Sequence, residues 1–337
     1  MANITFSEAS NVADSVYGKS QYPIRMLIEK RGEEFEAKSA LPFLFNITSS
    51  KNWAEKMTTM TAFDNFKPVG ENGAYPVAGT QEGFSKAIEH MTWRSSFSLS
   101  HEIVADAKAL DLKNRPTGFV ASAYRTREQF GAAMFGAGIT GGSNVTMNGF
   151  KFDATGADGV TVFNTAHPSK LDSSNTQGNL FSDAFSVDAL SAMETAMQTF
   201  EGDNGELLDV SPDTIVIPNL YALKTAVFAA IGADKDPATA NNGFNYQFGR
   251  WNVVVWGYLN KFITSGTAPW ILLDSEFNKT YGGAMWFDRE PLTIRSTISD
   301  ENDANVWLGR MRYGVGFNDW RFAACGGVSG GTALISD

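Results

Sequence analysis

The chain has 337 residues, 43% of them hydrophobic and 19% charged, with a formal net charge of −10 and a single cysteine. That length allows two or more cores, the composition excludes a disordered chain, and the charge excludes nucleic-acid attraction by a bulk basic surface. Cys325 cannot form an intrachain disulfide; lying in an apolar stretch with no patterned histidine, it is expected to be a buried structural thiol rather than a nucleophile.

Residues 1–20 are polar and lack a basic start followed by an apolar run, so no secretory leader is expected. No segment is long and apolar enough to span a bilayer. The three N-x-T matches at Asn46, Asn144 and Asn278 are then chance matches. Residues 1–40 show little periodicity apart from an apolar patch at Ile24, Met26, Leu27 and Ile28, which reads as an extended arm packing on something else, with a frayed terminus as the alternative.

From 63 to 99 the pattern changes. Asn72-Gly73 is a turn signal between two weakly apolar runs that contain Pro68 and Pro76. Proline restricts a strand to an edge. A long polar ribbon of this kind has no core of its own and is expected to lie on a neighbour. Trp93 to Ser100 alternates as a strand.

Residues 117–134 carry the clearest helical pattern, with Pro116 and Thr117 as start signals and Phe119, Ala123, Phe130 and Met134 near one face. The helix is expected to stop in the glycine-rich run that begins at Gly136. That run contains Gly136, Gly138 and Gly141 in G-x-G-x-x-G spacing, but a helix precedes it, so a helix end and loop is the better reading than a dinucleotide fingerprint.

Short strands and turns follow over 147–165, then a polar loop to Asn179. Ser186 is placed to cap a helix with Leu190, Met193, Met197 and Phe200 on its apolar side. The run Pro212-Asp-Thr-Ile-Val-Ile-Pro218 reads as a strand feeding a third helix with Leu220, Leu223, Val227 and Ala230. Later strand candidates are 250–258, 269–273, 283–287, 292–295 and 305–322. Trp251, Trp256, Trp270, Trp286, Trp307 and Trp320 all fall in these and are expected to fill core, with subunit interfaces as the alternative.

Catalytic signals are missing. His90, His101 and His167 make no pair at ligand spacing, and His90 and His101 read as surface residues. Asp153, Asp158, Asp203 and Asp209 sit near glycines without calcium-loop spacing; the stretch from Asp203 to Glu206 reads as a turn. Neither G-x-S-x-G nor a phosphate-loop motif occurs. No catalytic, cofactor-binding or metal site is expected.

The order of arm, polar hairpin, long helix, strand-Pro-helix unit and late returning strands resembles the major capsid protein of tailed bacteriophages. The resemblance covers nearly the whole chain and is closest in feel to the Mu-like major head subunit. It implies an α+β HK97-like fold: an N-terminal arm (1–48), an extended-loop region (49–110), a spine helix with the first part of a peripheral domain (111–184), an axial domain (185–287) and return strands of the peripheral domain with the C-terminus (288–337). It further implies a non-enzymatic virion component, made in the bacterial host cytoplasm, that self-assembles into pentamers and hexamers. The resulting icosahedral shell would enclose double-stranded DNA without sequence-specific recognition or a membrane. Scaffold, portal and decoration proteins are the implied partners. No removable scaffold segment is visible before the arm, which implies a separate scaffold or a trimmed chain.

Some relatives crosslink a lysine to an asparagine. Lys67 and Lys86 fall in the loop region, but no local pattern identifies a reacting pair, so crosslinking is not expected. An acidic shell also suits packaging, because a cationic lining would grip DNA. Three other readings stay open: an encapsulin-type compartment with the same fold, a soluble β-rich binding protein suggested by the aromatic content, and a compact enzyme with a defined pocket.

Overall fold

The computed structural model describes residues 5–6, 17–60, 66–77, 82–100, 109–232, 245–263, 268–299 and 304–335. It is an α+β protein, and two sheets share its largest core.

The first contains strand β1 (Thr5–Phe6), β2 (Asn46–Ser49), β5 (Met91–Leu99), β13 (Ala284–Ile298) and β14 (Asn305–Phe317). Its order is β1-β13-β14-β5, with β2 also beside β13. The second contains β10 (Thr214–Ile217), β11 (Asn252–Val255), β12 (Trp270–Leu273) and β15 (Ala323–Gly326) in the order β11-β10-β12-β15. The last strand of the chain thus joins a sheet begun more than a hundred residues earlier. Three small pairs complete the paired strands among the described residues: β3 (Ala54–Met60) with β4 (Glu82–Glu89), β6 (Asn144–Met147) with β7 (Phe150–Asp153), and β8 (His167–Pro168) with β9 (Thr176–Gln177).

The 292–295 and 283–287 candidates are one strand, β13. It continues past Pro291 because register shifts at 288–290 and 290–293 absorb the missing donor. The 305–322 run stops at Phe317 and turns before β15.

Six α-helices lie among the described residues, α1 (Tyr17–Glu36), α2 (Leu41–Leu44), α3 (Ala109–Thr140), α4 (Val187–Gln198), α5 (Tyr221–Ile231) and α6 (Ser275–Tyr281), with a 3-10 helix at Gly257–Phe262. Helix α1 corrects the expectation of an extended arm. Its apolar positions are too few for a visible stripe, and it is held instead by tertiary contact: Ile28 is fully buried with Leu99, Phe119 and Val120, and Phe35 stacks on Tyr124.

Helix α3 also exceeds its expected bounds at both ends. Pro116 lies inside it, and Gly136 and Gly138 are helical rather than terminal. These two glycines are there for close approach. A Cβ on Gly136 would sit 2.2 Å from the Phe262 ring, and one on Gly138 2.4 Å from Val162. The helix ends at Gly141, which takes φ +72°, while Gly142 N–H donates to the Ala137 carbonyl (2.7 Å) and Gly141 N–H to that of Gly138 (3.3 Å). This is a Schellman end. Helix α4 starts as expected, its Ser186 hydroxyl accepting from Ala189 N–H at 3.0 Å.

Five of the six tryptophans expected in the core are buried there, and Trp251 packs at its margin. Aromatic rings link the layers: Phe130 of α3 meets Trp286 and Tyr313, and Phe45 meets Phe135 and Trp286. Cys325 is buried as expected, and burial pushes its thiol up.

Two histidines differ from their sequence reading or add to it. His90 is buried, its Nδ1 2.9 Å from the Trp53 carbonyl; His101 lies outside the described residues. His167 is fully enclosed between Asp158 (2.6 Å from Nδ1) and the Asn179 side-chain carbonyl (3.1 Å from Nε2), and it stacks on Trp320 at 4.3 Å. Asn179 is oriented unambiguously, because its amide nitrogen faces the carbonyls of Val162, Trp320 and Ala323. Asn179→Ala therefore strands several buried polar groups at once. We expect it to destabilise the fold by about 1–3 kcal/mol, measured as a shift of the urea midpoint at unchanged slope. No change in midpoint would refute the knot.

Candidate interaction surfaces

The β3–β4 ribbon projects a tip, residues 66–77, that pairs with no strand and is exposed throughout. The paired strands lie nearer the base than the two runs flanking Asn72-Gly73 suggested, because Pro68 and Pro76 remove donors from those runs. The turn itself forms where expected: Gly73 N–H donates to the Gly70 carbonyl at 2.9 Å and Asn72 takes φ +62°. Asparagine tolerates that left-handed position. Phe66 and Tyr75 are 106% and 96% exposed, and Val69 and Val77 are also bare. Large rings left in water on a segment without its own core mark a surface made for a partner.

The base of the ribbon is pinned. Lys86 of β4 lies 3.1 Å from Asp153 of β7 and also donates to the Thr155 carbonyl. Burial lowers its pKa against the opposing pull of Asp153. Asp153 is held below the usual carboxylate range: burial would raise it, but hydrogen bonds from Thr155 and the Lys86 charge outweigh that. Of the two lysines named from sequence, Lys86 is thus committed within its own subunit, whereas Lys67 stands exposed at the tip.

A second surface is the outer side of α5. Leu223, Val227 and Ala230 face the core, while Tyr221, Ala222, Thr225, Ala226, Phe228 and Ala229 are exposed. Neither face carries a charge apart from half-buried Lys224. A helix that is apolar on both sides belongs in an interior. Within one subunit α5 has only half of that environment.

Helix α3 is locked to the rest of the body by charge. Arg127 of α3 makes two 2.8 Å bonds to Asp288 of β13 and lies 4.9 Å from the Trp286 ring centroid. Burial alone would lower the guanidinium's pKa; Asp288 outweighs it. Glu128, one residue on, accepts from the Ser39 hydroxyl, the Ala40 N–H (3.1 Å) and Trp256 Nε1 (2.8 Å), joining three segments. Arg321 similarly bridges Asp203 and Asp319 at 3.0 and 3.4 Å. The stretch from Asp203 to Glu206 turns as read: Gly205 N–H donates to the Gly202 carbonyl at 3.0 Å and Gly202 N–H to that of Glu206 at 2.8 Å. Its Asp203, however, is a salt-bridge partner, which the turn reading missed because Arg321 is remote in sequence.

Among the described residues no group of three His, Cys, Asp or Glu is placed to hold a metal, and no helix is long and apolar enough to cross a membrane. Of the four aspartates noted from sequence, Asp153, Asp158 and Asp203 are paired with Lys86, His167 and Arg321, and Asp209 takes a left-handed φ of +49°.

A family model described as phage capsid protein matches residues 86–325. No curated protein matches the chain. Similar solved structures include the capsid of Ralstonia phage GP4 (11% identity, TM-score 0.51, covering 85% of this chain and 87% of that one). Another is from Mycobacterium phage Patience (12%, 0.50, 100% and 96%). A third is the virus-like particle from Pyrococcus furiosus (7%, 0.50, 89% and 98%). At these identities the structural likeness is one of fold.

Proposed function

Since the chain belongs to the phage capsid protein family, and is a major capsid protein that forms the shell of a virion, we propose that its exposed loop tip and α5 face are the contacts that build that shell. The fold is of the HK97 type, and the role is structural rather than enzymatic. The observation that carries our reading is the pairing of a rigid, charge-locked body with apolar surface at two separate places. Different patches at two places make heterologous contacts, which form rings where the rotation between subunits closes. We assign those rings as pentamers and hexamers.

In this reading residues 1–48 act as an arm, here partly helical, and residues 49–110 reach across a neighbour. Residues 111–184 form the spine and the first part of a peripheral domain. Residues 185–287, which include α5, stand around the ring axis, and residues 288–337 return to the peripheral domain. The shell encloses double-stranded DNA without reading its sequence, consistent with the net charge of −10. Scaffold and portal proteins are its expected partners, with decoration proteins outside.

The double variant Tyr221→Asp, Phe228→Asp tests the α5 contact. Both residues are exposed, so the subunit should unfold at an unchanged temperature, while rings and shells disappear from negative-stain micrographs and sedimentation profiles. Normal shells from this variant would remove α5 from the interface. A second reading is a protein compartment holding an enzyme instead of DNA, which would use the same fold. Nuclease-protected DNA in particles isolated from the host distinguishes the two.

A further inference from the structure

Strand β2 has an open edge. Ser50 N–H donates to the Asp288 carbonyl at 3.0 Å, and in the parallel pairing with β13 this turns the N–H and C=O of Ile47 and Ser49 away from the sheet. Among the described residues these groups have no backbone partner. They border a cleft of about 1050 Å³ that is also lined by Val255 and Tyr258. Val255 ends an edge that is also unpaired among the described residues: Asn252 and Trp256 donate to β10 at 2.9 and 2.8 Å, so Val255 turns its own polar groups outward. Unpaired strand edges are templates for another strand.

The cleft also has a charge preference. Its carboxylates are already engaged: Glu128 with Ser39, Ala40 and Trp256, Asp288 with Arg127 and Trp286, and Glu36 with a partner of its own. Lys38 and Arg125, by contrast, are exposed at the cleft and have no side-chain partner among the described residues. In a chain of net charge −10, two free cations beside open strand edges ask for an anionic occupant.

We propose that this cleft is a strand-addition site for an extended, acidic segment of a partner protein. The segment's backbone bonds to Ile47 and Ser49, its apolar side chains lie against Ile47 and Val255, and its carboxylates meet Lys38 and Arg125. Such recognition takes affinity from the main chain and selectivity from alternate side chains. A neighbouring copy's 66–77 tip fits less well, since Lys67 and Glu71 leave it without net charge. The proposal stands apart from the shell contacts, so its failure leaves those intact.

The test is fluorescence anisotropy of the full chain with a labelled peptide, Thr-Val-Glu-Val-Glu-Val-Thr. Binding is expected to weaken about tenfold in the Lys38→Glu, Arg125→Glu variant, to fall with added salt, and to vanish when alternate peptide nitrogens are methylated. Particles of that variant should look normal by electron microscopy, which separates lost binding from lost folding. Equal binding of a peptide with lysine in place of glutamate would overturn the proposal. So would tighter binding of the 66–77 peptide, which would make the neighbour's loop the occupant, or no binding of any peptide.

Discussion

Replacing residues 66–77 by Gly-Ser-Gly should abolish shells while leaving the subunit as stable as before. The reason is where the apolar surface sits. Phe66 and Tyr75 touch nothing in their own subunit, so removing them takes nothing from its core; a surface change of this kind falls within about 0.5 kcal/mol. In the shell the same two rings would cover roughly 300 Å². At about 25 cal/mol per Å², that corresponds to a gross gain of about 7.5 kcal/mol per loop, from which the ordering of the tip must be subtracted. Every subunit would make the contact once, so its loss is repeated around the particle. Thermal unfolding and sedimentation velocity of the variant check both halves of the expectation. Shells of normal size would show that the tip is dispensable, and a large fall in unfolding temperature would show that it packs at home.

Arg127→Met should cost about 3–5 kcal/mol of subunit stability. It leaves Asp288 behind, 15% exposed, without the two bonds that neutralise it. Trp286 Nε1, 3.0 Å from the same carboxylate, offers only one hydrogen bond in return. The loss should appear as a lower urea midpoint, and Asp288→Asn should lose a similar amount by stranding the guanidinium over Trp286 and Tyr313. The double variant Arg127→Met, Asp288→Leu should recover much of it, because a pair of apolar side chains needs no compensation. A single-variant cost below about 1 kcal/mol would mean that water reaches the pair and that it does not lock α3 to β13.

Local signals in the chain proved sound where one residue dictates one geometry. Ser186 caps α4, Asn72 turns the loop tip, and the strand before Pro218 feeds α5. Such features depend on neighbours within a few residues, and a linear reading sees those neighbours. The errors share another cause. Gly136 and Gly138 looked like a helix end because backbone freedom is their local property; Phe262 and Val162, which need the space, are distant in sequence. His90 looked exposed because its partner, the Trp53 carbonyl, lies across the ribbon. Of the interaction surfaces, the loop was legible as a ribbon without a core. The outer face of α5 was not, since an apolar helix looks the same whether one side or both are buried.

By itself the sequence determined an acidic, aromatic-rich, α+β chain without catalytic spacing, whose ribbon, long helix and returning strands stand in an order that resembles a capsid protein. Composition, turn chemistry and the order of elements are properties of the chain and need no contact map. The tertiary structure decided which charges pair, which strand edges stay open and which apolar faces remain bare. Those depend on what lies opposite in space, as when Arg127 meets Asp288 or Thr214 meets Leu273, and residues so far apart along the chain become neighbours only when the sheets close.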